Sequence, residues 1–156
     1  MRHLLATALL LAIAFPATAQ TALQAGAPVP TLNLKDQHDK PATIPTGTRQ
    51  IIFAADNAGA SLVTAYLDAQ KPTWLKDTQR VYLADIHKMP SLITAMFALP
   101  KLREKPYTIV LGREASDLAM FPRQTECVSV IPIQDGKLGS ATIACTAEAL
   151  KAATTP

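Results

Sequence analysis

The chain has 156 residues, of which 49% are hydrophobic and 17% are charged, so the composition predicts one folded domain and excludes a largely disordered protein. The formal net charge is only +3 and aromatic residues make up 5% of the chain. Because the basic residues are scattered and form no stripe with aromatic residues, the sequence argues against nucleic acid as a partner.

Residues 1–19 have the pattern of a secretory signal peptide. Arg2 and His3 form a positive start, and Leu4–Phe15 is apolar apart from Thr7. This run has about 12 residues, whereas a membrane span needs roughly 20. The Ala-x-Ala pattern that ends at Ala19 predicts cleavage there and a periplasmic mature protein without an integral membrane segment. An uncleaved anchor is the alternative, and the short apolar run argues against it.

Residues 20–28 are predicted to form a leader, and residues 29–153 a single domain. The domain opens with two extended segments, 30–34 and 41–45, around a polar turn. The prolines in both segments predict a hairpin at the edge of a sheet. The apolar run 50–55 follows and predicts the first buried strand.

Helices and strands then alternate along the chain. A helix with an apolar face runs from residue 60 to the stop at Pro72, and 81–86 is the next strand. After Pro90, Ser91 is predicted to cap a helix that Pro100 ends or kinks. Its apolar face is predicted to lie in the core and consists of Leu92, Ile93, Met96 and Phe97.

The last third of the chain adds a strand at 106–112 and a short helix at 116–121. The apolar runs 127–133 and 138–145 flank Asp135-Gly136, a dipeptide typical of hairpin turns. Thr146 is predicted to cap a final helix over 147–153. This order of elements predicts an α/β protein with a mixed sheet between outer layers.

The element order resembles that of the thioredoxin-like superfamily, in particular exported thioredoxin-like oxidoreductases and peroxiredoxins. The likeness covers residues 27–153 and includes the opening edge hairpin, with Ala27–Asp36 in its first part, and an extra helix and strand over 91–112. The resemblance implies a three-layer α/β/α sandwich with a mixed central sheet and an N-terminal edge hairpin.

Members of that superfamily carry Trp-Cys-x-x-Cys where the first buried strand meets the following helix. When this pattern is laid on the chain, Asn57 takes the Trp position, Ala58 the attacking Cys and Ser61 the resolving Cys. Alanine cannot form a mixed disulfide, and disulfide exchange requires an attacking thiolate. The superfamily's cis-proline is also missing, because residues 125–128 contain no proline, and no peroxiredoxin cysteine motif is present.

The resemblance therefore implies an exported protein without enzymatic redox activity that binds another molecule: a peptide, a protein or a small molecule. The candidate binding site is the degenerate junction, where free helix amides are expected to receive a small anion or an extended peptide. No cofactor is expected, since no Gly-x-Gly-x-x-Gly is present. No metal is expected either, and His87 reads as a surface or satisfied residue. The degenerate junction consists of Asp56, Asn57, Ala58, Gly59, Ala60 and Ser61.

The two cysteines, Cys127 and Cys145, are predicted to form one disulfide because an exported protein meets an oxidising compartment. Export and the absence of any other cysteine favour a three-residue loop over 135–137, which would place them directly opposite each other in the hairpin. A two-residue Asp135-Gly136 turn would point them to opposite faces unless a bulge intervenes. The alternative function is a thiol–disulfide oxidoreductase that uses this pair in place of the lost motif.

Overall fold

The computed structural model of the protein describes residues 23–155. Eight strands form one mixed sheet in the order β2-β1-β5-β4-β3-β6-β7, and β8 also pairs with β6. The predicted signal peptide lies outside the described residues. Among the residues described, no helix has the length and apolar character needed to cross a membrane. The strands are β1 (Leu34–Asp36), β2 (Pro41–Ala42), β3 (Gln50–Ala54), β4 (Arg80–Asp85), β5 (Ile109–Gly112), β6 (Val128–Gln134), β7 (Lys137–Leu138) and β8 (Thr142–Ala144).

The helices all follow or connect strands of the central sheet. They are α1 (Asn57–Asp68), α2 (Trp74–Asp77), α3 (Ser91–Ile93), α4 (Leu99–Arg103) and α5 (Ala147–Thr154), with a π-helical turn, Thr94–Ala98, between α3 and α4. Strands β3, β4 and β5 are parallel neighbours, so both connections between them move across the sheet in the same direction. Because such connections are right-handed, both connecting segments lie on the same face of the sheet.

The two faces of the sheet are covered differently. One core cluster contains Val63, Leu75 and Leu150 from the helices, packed on alternate residues of β3, β4 and β6. The other cluster packs Leu32, Leu118 and Phe121 on the opposite side of the same strands. The predicted α/β fold with a mixed sheet is confirmed. On the second face, however, the part of the chain that the structure describes provides loops and turns as the outer layer.

The short helix predicted over 116–121 is wrong. This segment forms consecutive turns instead. The carboxylate of Asp117 accepts hydrogen bonds from the backbone amides of Arg113 at 2.8 Å and Glu114 at 2.9 Å. Side-chain bonds of this kind hold the backbone in a turn and compete with helix formation.

The predicted N-terminal hairpin is confirmed, with its turn starting two residues later than expected and ending at the same residue. β1 pairs with both β2 and β5, which leaves β2 at the edge of the sheet. The carboxylate of Asp36 accepts hydrogen bonds from the amides of His38 and Lys40. Asp39 completes the turn in the left-handed region, with φ of 63°. Asp36 therefore ends the strand and fixes the turn.

The apolar face predicted to be core between β4 and β5 is exposed, so that prediction is wrong. Leu92, Ile93, Met96 and Phe97 have exposed fractions of 66%, 45%, 59% and 56%. The segment from α3 to α4, residues 91–103, is held to the core instead by Met89, just before it, and by Leu99 and Leu102 in α4. This exposed stripe is the largest departure from the sequence-based expectation.

Pro100 does not end the helical segment. It lies in the first turn of α4, where a missing N–H costs little. The π-helical turn precedes it, and the Leu99 amide donates to the Thr94 carbonyl. The wider π turn accommodates a proline ring that would clash with a carbonyl in a regular α-helix. Ser91 does not cap the segment, since the N-cap position is Pro90 and no side chain bonds there.

The C-terminal hairpin uses a two-residue turn followed by a bulge, so the expected three-residue loop is wrong. Asp135 and Gly136 have φ of 51° and 72°, the positive values of a type I′ turn. Next to the turn, Ile133 pairs with Leu138, but further along Val128 pairs with Ala144. The β7–β8 arm thus contains one extra residue, within 139–141, and this bulge changes the register.

Pro132 explains the position of the bulge. It lies inside β6, where proline cannot donate a ladder hydrogen bond and is therefore confined to edges and bulges. The Gly139 amide donates to the Pro132 carbonyl at 2.7 Å. A Cβ on Gly139 would lie 2.7 Å from Cγ of Pro132, so the close approach requires glycine. The arm after the bulge leads through β8 to Thr146, which caps α5 as predicted by accepting from the Ala149 amide.

Candidate functional site

The junction between β3 and α1 is organised by one carboxylate. Asp56 is the N-cap of α1, and its Oδ1 accepts a hydrogen bond from the Gly59 amide at 2.8 Å. Its Oδ2 accepts another at 2.8 Å from the amide of Glu126, in the loop before β6. Because both oxygens are used, Asp56 caps the helix and also fastens the 124–127 loop against it.

The first turn of α1 presents a small, neutral surface. Asn57, Ala58 and Ser61 are exposed, whereas Gly59 is buried. A Cβ on Gly59 would lie 2.6 Å from the carbonyl oxygen of Cys127, so glycine allows the loop to touch the helix backbone. The Ser61 hydroxyl donates to the Asn57 carbonyl at 2.8 Å. The first-turn amide of Gly59 is satisfied by Asp56 and not by Ser61.

Cys127 and Cys145 form a disulfide directly beside this junction. The bond joins the residue before β6 to the residue after β8, with the two Cα atoms 4.2 Å apart. Cys127 is buried, with 5% of its surface exposed, while Cys145 is exposed. The Gln124 amide nitrogen lies 3.7 Å from Sγ of Cys145. The disulfide therefore joins a buried cysteine to an exposed one, next to the N-terminal end of α5.

A second polar cluster lies at the carboxyl end of β4, the neighbour of β3. The buried carboxylate of Asp85 accepts from Nδ1 of His87 at 2.6 Å and pairs with Arg123 at 3.1 Å. Arg123 also donates to the Leu118 carbonyl and lies over the ring of Phe53. His87 is thus a satisfied residue, as expected. No group of three or more metal-ligating side chains occurs between residues 23 and 155.

Three cavities lie away from the junction. One of about 770 Å³ lies at the amino end of the parallel strands, where its lining includes Arg80 and Pro106. Two others, of about 650 Å³ and 370 Å³, share that end of the molecule. None of these three is lined by residues 56–61 or 124–127. The site therefore suits a ligand that lies across a surface.

No protein-family model matches the sequence. The structure is similar to a proposed thiol:disulfide interchange protein DsbE from Chlorobium tepidum, with a TM-score of 0.59, 15% identity and coverage of 85% of this chain and 96% of the other. It is similar to the peroxidoxin BcpB from Mycobacterium tuberculosis, with a TM-score of 0.55, 13% identity and coverage of 84% and 94%. It is also similar to a thio-disulfide isomerase from Thermus thermophilus, with a TM-score of 0.51, 16% identity and coverage of 86% of this chain and 99% of the other. The chain has the thioredoxin-like fold.

The thioredoxin-like fold brings together two groups of residues that the sequence suggested separately. The degenerate junction and the disulfide pair meet at the carboxyl end of β3 through the contact of Gly59 with Cys127. Sequence reasoning missed Glu126, whose amide completes the Asp56 bridge. The available signal was the position of residues 125–128, which the resemblance assigns to the cis-proline loop that faces the active site of thioredoxin-like proteins.

Proposed function

We propose that this thioredoxin-like protein binds an extended polypeptide segment across the junction of α1 and the 124–127 loop, without disulfide exchange at positions 58 and 61. The observation that carries the proposal is Thr125, an exposed turn residue in the 124–127 loop. Neither its N–H nor its C=O has a hydrogen-bond partner among the described residues. An extended peptide satisfies such groups with its own main chain, as in strand addition.

The contacts at the junction favour a peptide over a small anion. The positive end of α1 would attract an anion, but the Asp56 carboxylate already lies there with two hydrogen bonds. A second negative charge would be repelled by it. A neutral backbone can instead pair with Thr125 and lie over the small side chain of Ala58.

The proposed place of action is the periplasm, reached through the signal peptide expected over residues 1–19 and cleaved after Ala19. An oxidising compartment agrees with the disulfide between Cys127 and Cys145. In that compartment the protein would hold or escort a polypeptide, and the accessory role needs no cofactor and no metal.

Site-specific photocrosslinking in living cells tests the proposal. A photoreactive residue at Ala58 is expected to yield adducts with polypeptides that persist under reducing conditions, because no disulfide is involved. The matched control is the same residue at Lys76, which is exposed at the opposite end of the sheet. Equal adducts from both positions, or none from Ala58, would contradict peptide binding at the junction.

A second function, thiol–disulfide exchange by Cys127 and Cys145, is favoured by one specific observation. Cys145 is exposed beside the N-terminus of α5 while Cys127 is buried. An external thiolate could attack Sγ of Cys145, form a mixed disulfide and release Cys127 as the leaving thiolate. A reduction potential in the range of thioredoxin-type catalysts, about −270 to −120 mV, would support this function. A value below about −300 mV would assign the bond a structural role.

A further inference from the structure

We propose that the exposed stripe of residues 91–103 docks on an anionic lipid surface. The stripe is formed by Leu92, Ile93, Met96 and Phe97, the four large hydrophobic side chains found exposed between residues 23 and 155. No residue of α3, the π turn or α4 is buried. Four bulky apolar side chains on one helical segment form a continuous patch, and such patches mark interaction sites.

The charges around the stripe complement a negative surface. Lys88 lies four residues before Leu92, and Lys101 lies four residues after Phe97, so each end of the stripe carries a cation. Both lysines are exposed and neither has an ion-pair partner among the described residues. No acidic residue occurs between Asp85 and Glu104. Apolar side chains between cations, with no carboxylate, are typical of helices that lie in a membrane interface.

The shape of the surface favours a lipid over a folded protein partner. None of the three cavities described above is lined by a residue of 91–103, and the four exposed side chains form a ridge on the segment. A protein partner needs matched shape, whereas a fluid interface adapts to a ridge. Met89, just before the segment, and Leu99 and Leu102 within it pack on the core, while the four side chains of the stripe are exposed.

The geometry also gives the docking a direction. The segment follows β4, whose carboxyl end lies beside that of β3 and the junction at Asp56. The stripe therefore begins at the end of the sheet that carries the proposed peptide site. Docking through 91–103 would hold that site close to the lipid surface and still accessible from the aqueous side.

Vesicle co-sedimentation of the exported protein tests the inference. Wild type is expected to bind vesicles of equal phosphatidylglycerol and phosphatidylcholine, and to bind pure phosphatidylcholine much less. Met96→Ser/Phe97→Ser should weaken binding by at least about tenfold, because two large apolar contacts are lost. Lys88→Gln/Lys101→Gln should weaken binding to the anionic vesicles and remove its salt dependence.

The control variant is Ala65→Ser/Ala147→Ser, which changes two exposed residues on other helices and should bind like wild type. All variants share the same N-terminus and are checked for cooperative thermal unfolding. Two results would overturn the inference: apolar and control variants that bind alike, or a wild-type dimer in sedimentation velocity that Met96→Ser/Phe97→Ser converts to monomer. Crosslinking at Ala58 is scored separately, so the peptide site and the lipid surface can fail independently.

Discussion

Asp56 is bonded to Glu126 across 70 positions of the sequence, by a 2.8 Å hydrogen bond from the Glu126 amide to the carboxylate that also caps α1. One side chain thus connects the helix start to the loop that carries Cys127. The same carboxylate lies at the N-terminal end of α1, where the helix dipole favours a negative charge.

Replacing Asp56 with Ala is expected to destabilise the fold by about 2 kcal/mol, because it removes both an N-cap and a long-range hydrogen bond. Thr146→Ala is the matched control, since Thr146 caps α5 with a single bond and should cost about 1 kcal/mol. Urea unfolding of both variants measures the difference. Equal losses would show that the bond to Glu126 contributes nothing.

Placing cysteines at Ala58 and Ser61 should create a pair that oxidises and whose first thiol has a pKa below the free value of about 8.5. The positions lie in the first two turns of α1, whose N-terminus favours a thiolate. The Asp56 carboxylate opposes this effect, so adding Asp56→Asn should lower the thiol pKa further. Thiolate absorbance against pH measures both. Thiols that neither pair nor titrate below the free value would contradict the alignment of 58–61 with the superfamily motif.

Loss of the disulfide should reduce the free energy of unfolding by about 3 kcal/mol, because a loop with a sequence separation of 18 is no longer closed in the unfolded chain. The variant Cys127→Ala/Cys145→Ser removes it. Urea denaturation with and without reductant provides an internal check. Reductant should destabilise wild type to about the level of the variant and leave the variant unchanged; a reductant-insensitive wild type would contradict the expectation.

Lowering the pH should reveal how much the ionised Asp68 side chain contributes to the stability of the fold. The hydrogen bond from Lys105, at 2.5 Å, lowers the pKa of Asp68 below its ordinary value, and the Tyr107 hydroxyl assists. A lowered folded-state pKa stabilises the protein above the unfolded value near 3.9, and this contribution is lost as the pH falls through the folded-state pKa. Since the Asp68 side chain is 43% exposed, the effect should stay below about 1 kcal/mol.

Unfolding free energies between about pH 6 and pH 2 measure this effect. Asp68→Asn should remove that part of the pH dependence, and Lys105→Met should remove most of it because the cause of the pKa shift is gone. The unfolding free energies of wild type and of both variants should become equal near the acid end of this pH range. If the unfolding free energy of all three proteins changed with pH in the same way, Asp68 would not be the source of this pH dependence.

Local patterns were sufficient to predict most strands and the two long helices. The apolar run 50–55 and the capping residue Thr146 specify β3 and α5 by themselves. The predictions that failed concern residues whose environment depends on contacts distant in sequence. The faces of Leu92 and Phe97 are decided by where Met89 and Leu102 attach the segment, and no local pattern contains that information.

The candidate site was predicted in its parts but not in its assembly. The element order placed Ala58 and Ser61 at the end of β3, and export predicted the pairing of Cys127 with Cys145. The bridge from Asp56 to Glu126 joins these parts, and it depends on a backbone amide that has no signature in a sequence. The turn at 116–121 was missed because Asp117 bonds backwards to two amides, which a pattern of apolar residues does not reveal.

The bulge opposite Pro132 sets the parity of residue pairing in the C-terminal hairpin. Across a two-residue turn, residues that face each other always differ by an odd number, whereas Cys127 and Cys145 differ by 18, an even number. An even separation and an Asp-Gly turn are compatible with a bond only when one arm carries an odd number of extra residues. Deleting Ser140 removes the one extra residue and reduces the separation of the two cysteines from 18 to 18 − 1 = 17, an odd number that the Asp-Gly turn pairs without a bulge. Cys127 and Cys145 should therefore still face each other, and non-reducing peptide mapping of the shortened protein should recover the disulfide; two free thiols would contradict this account of the register.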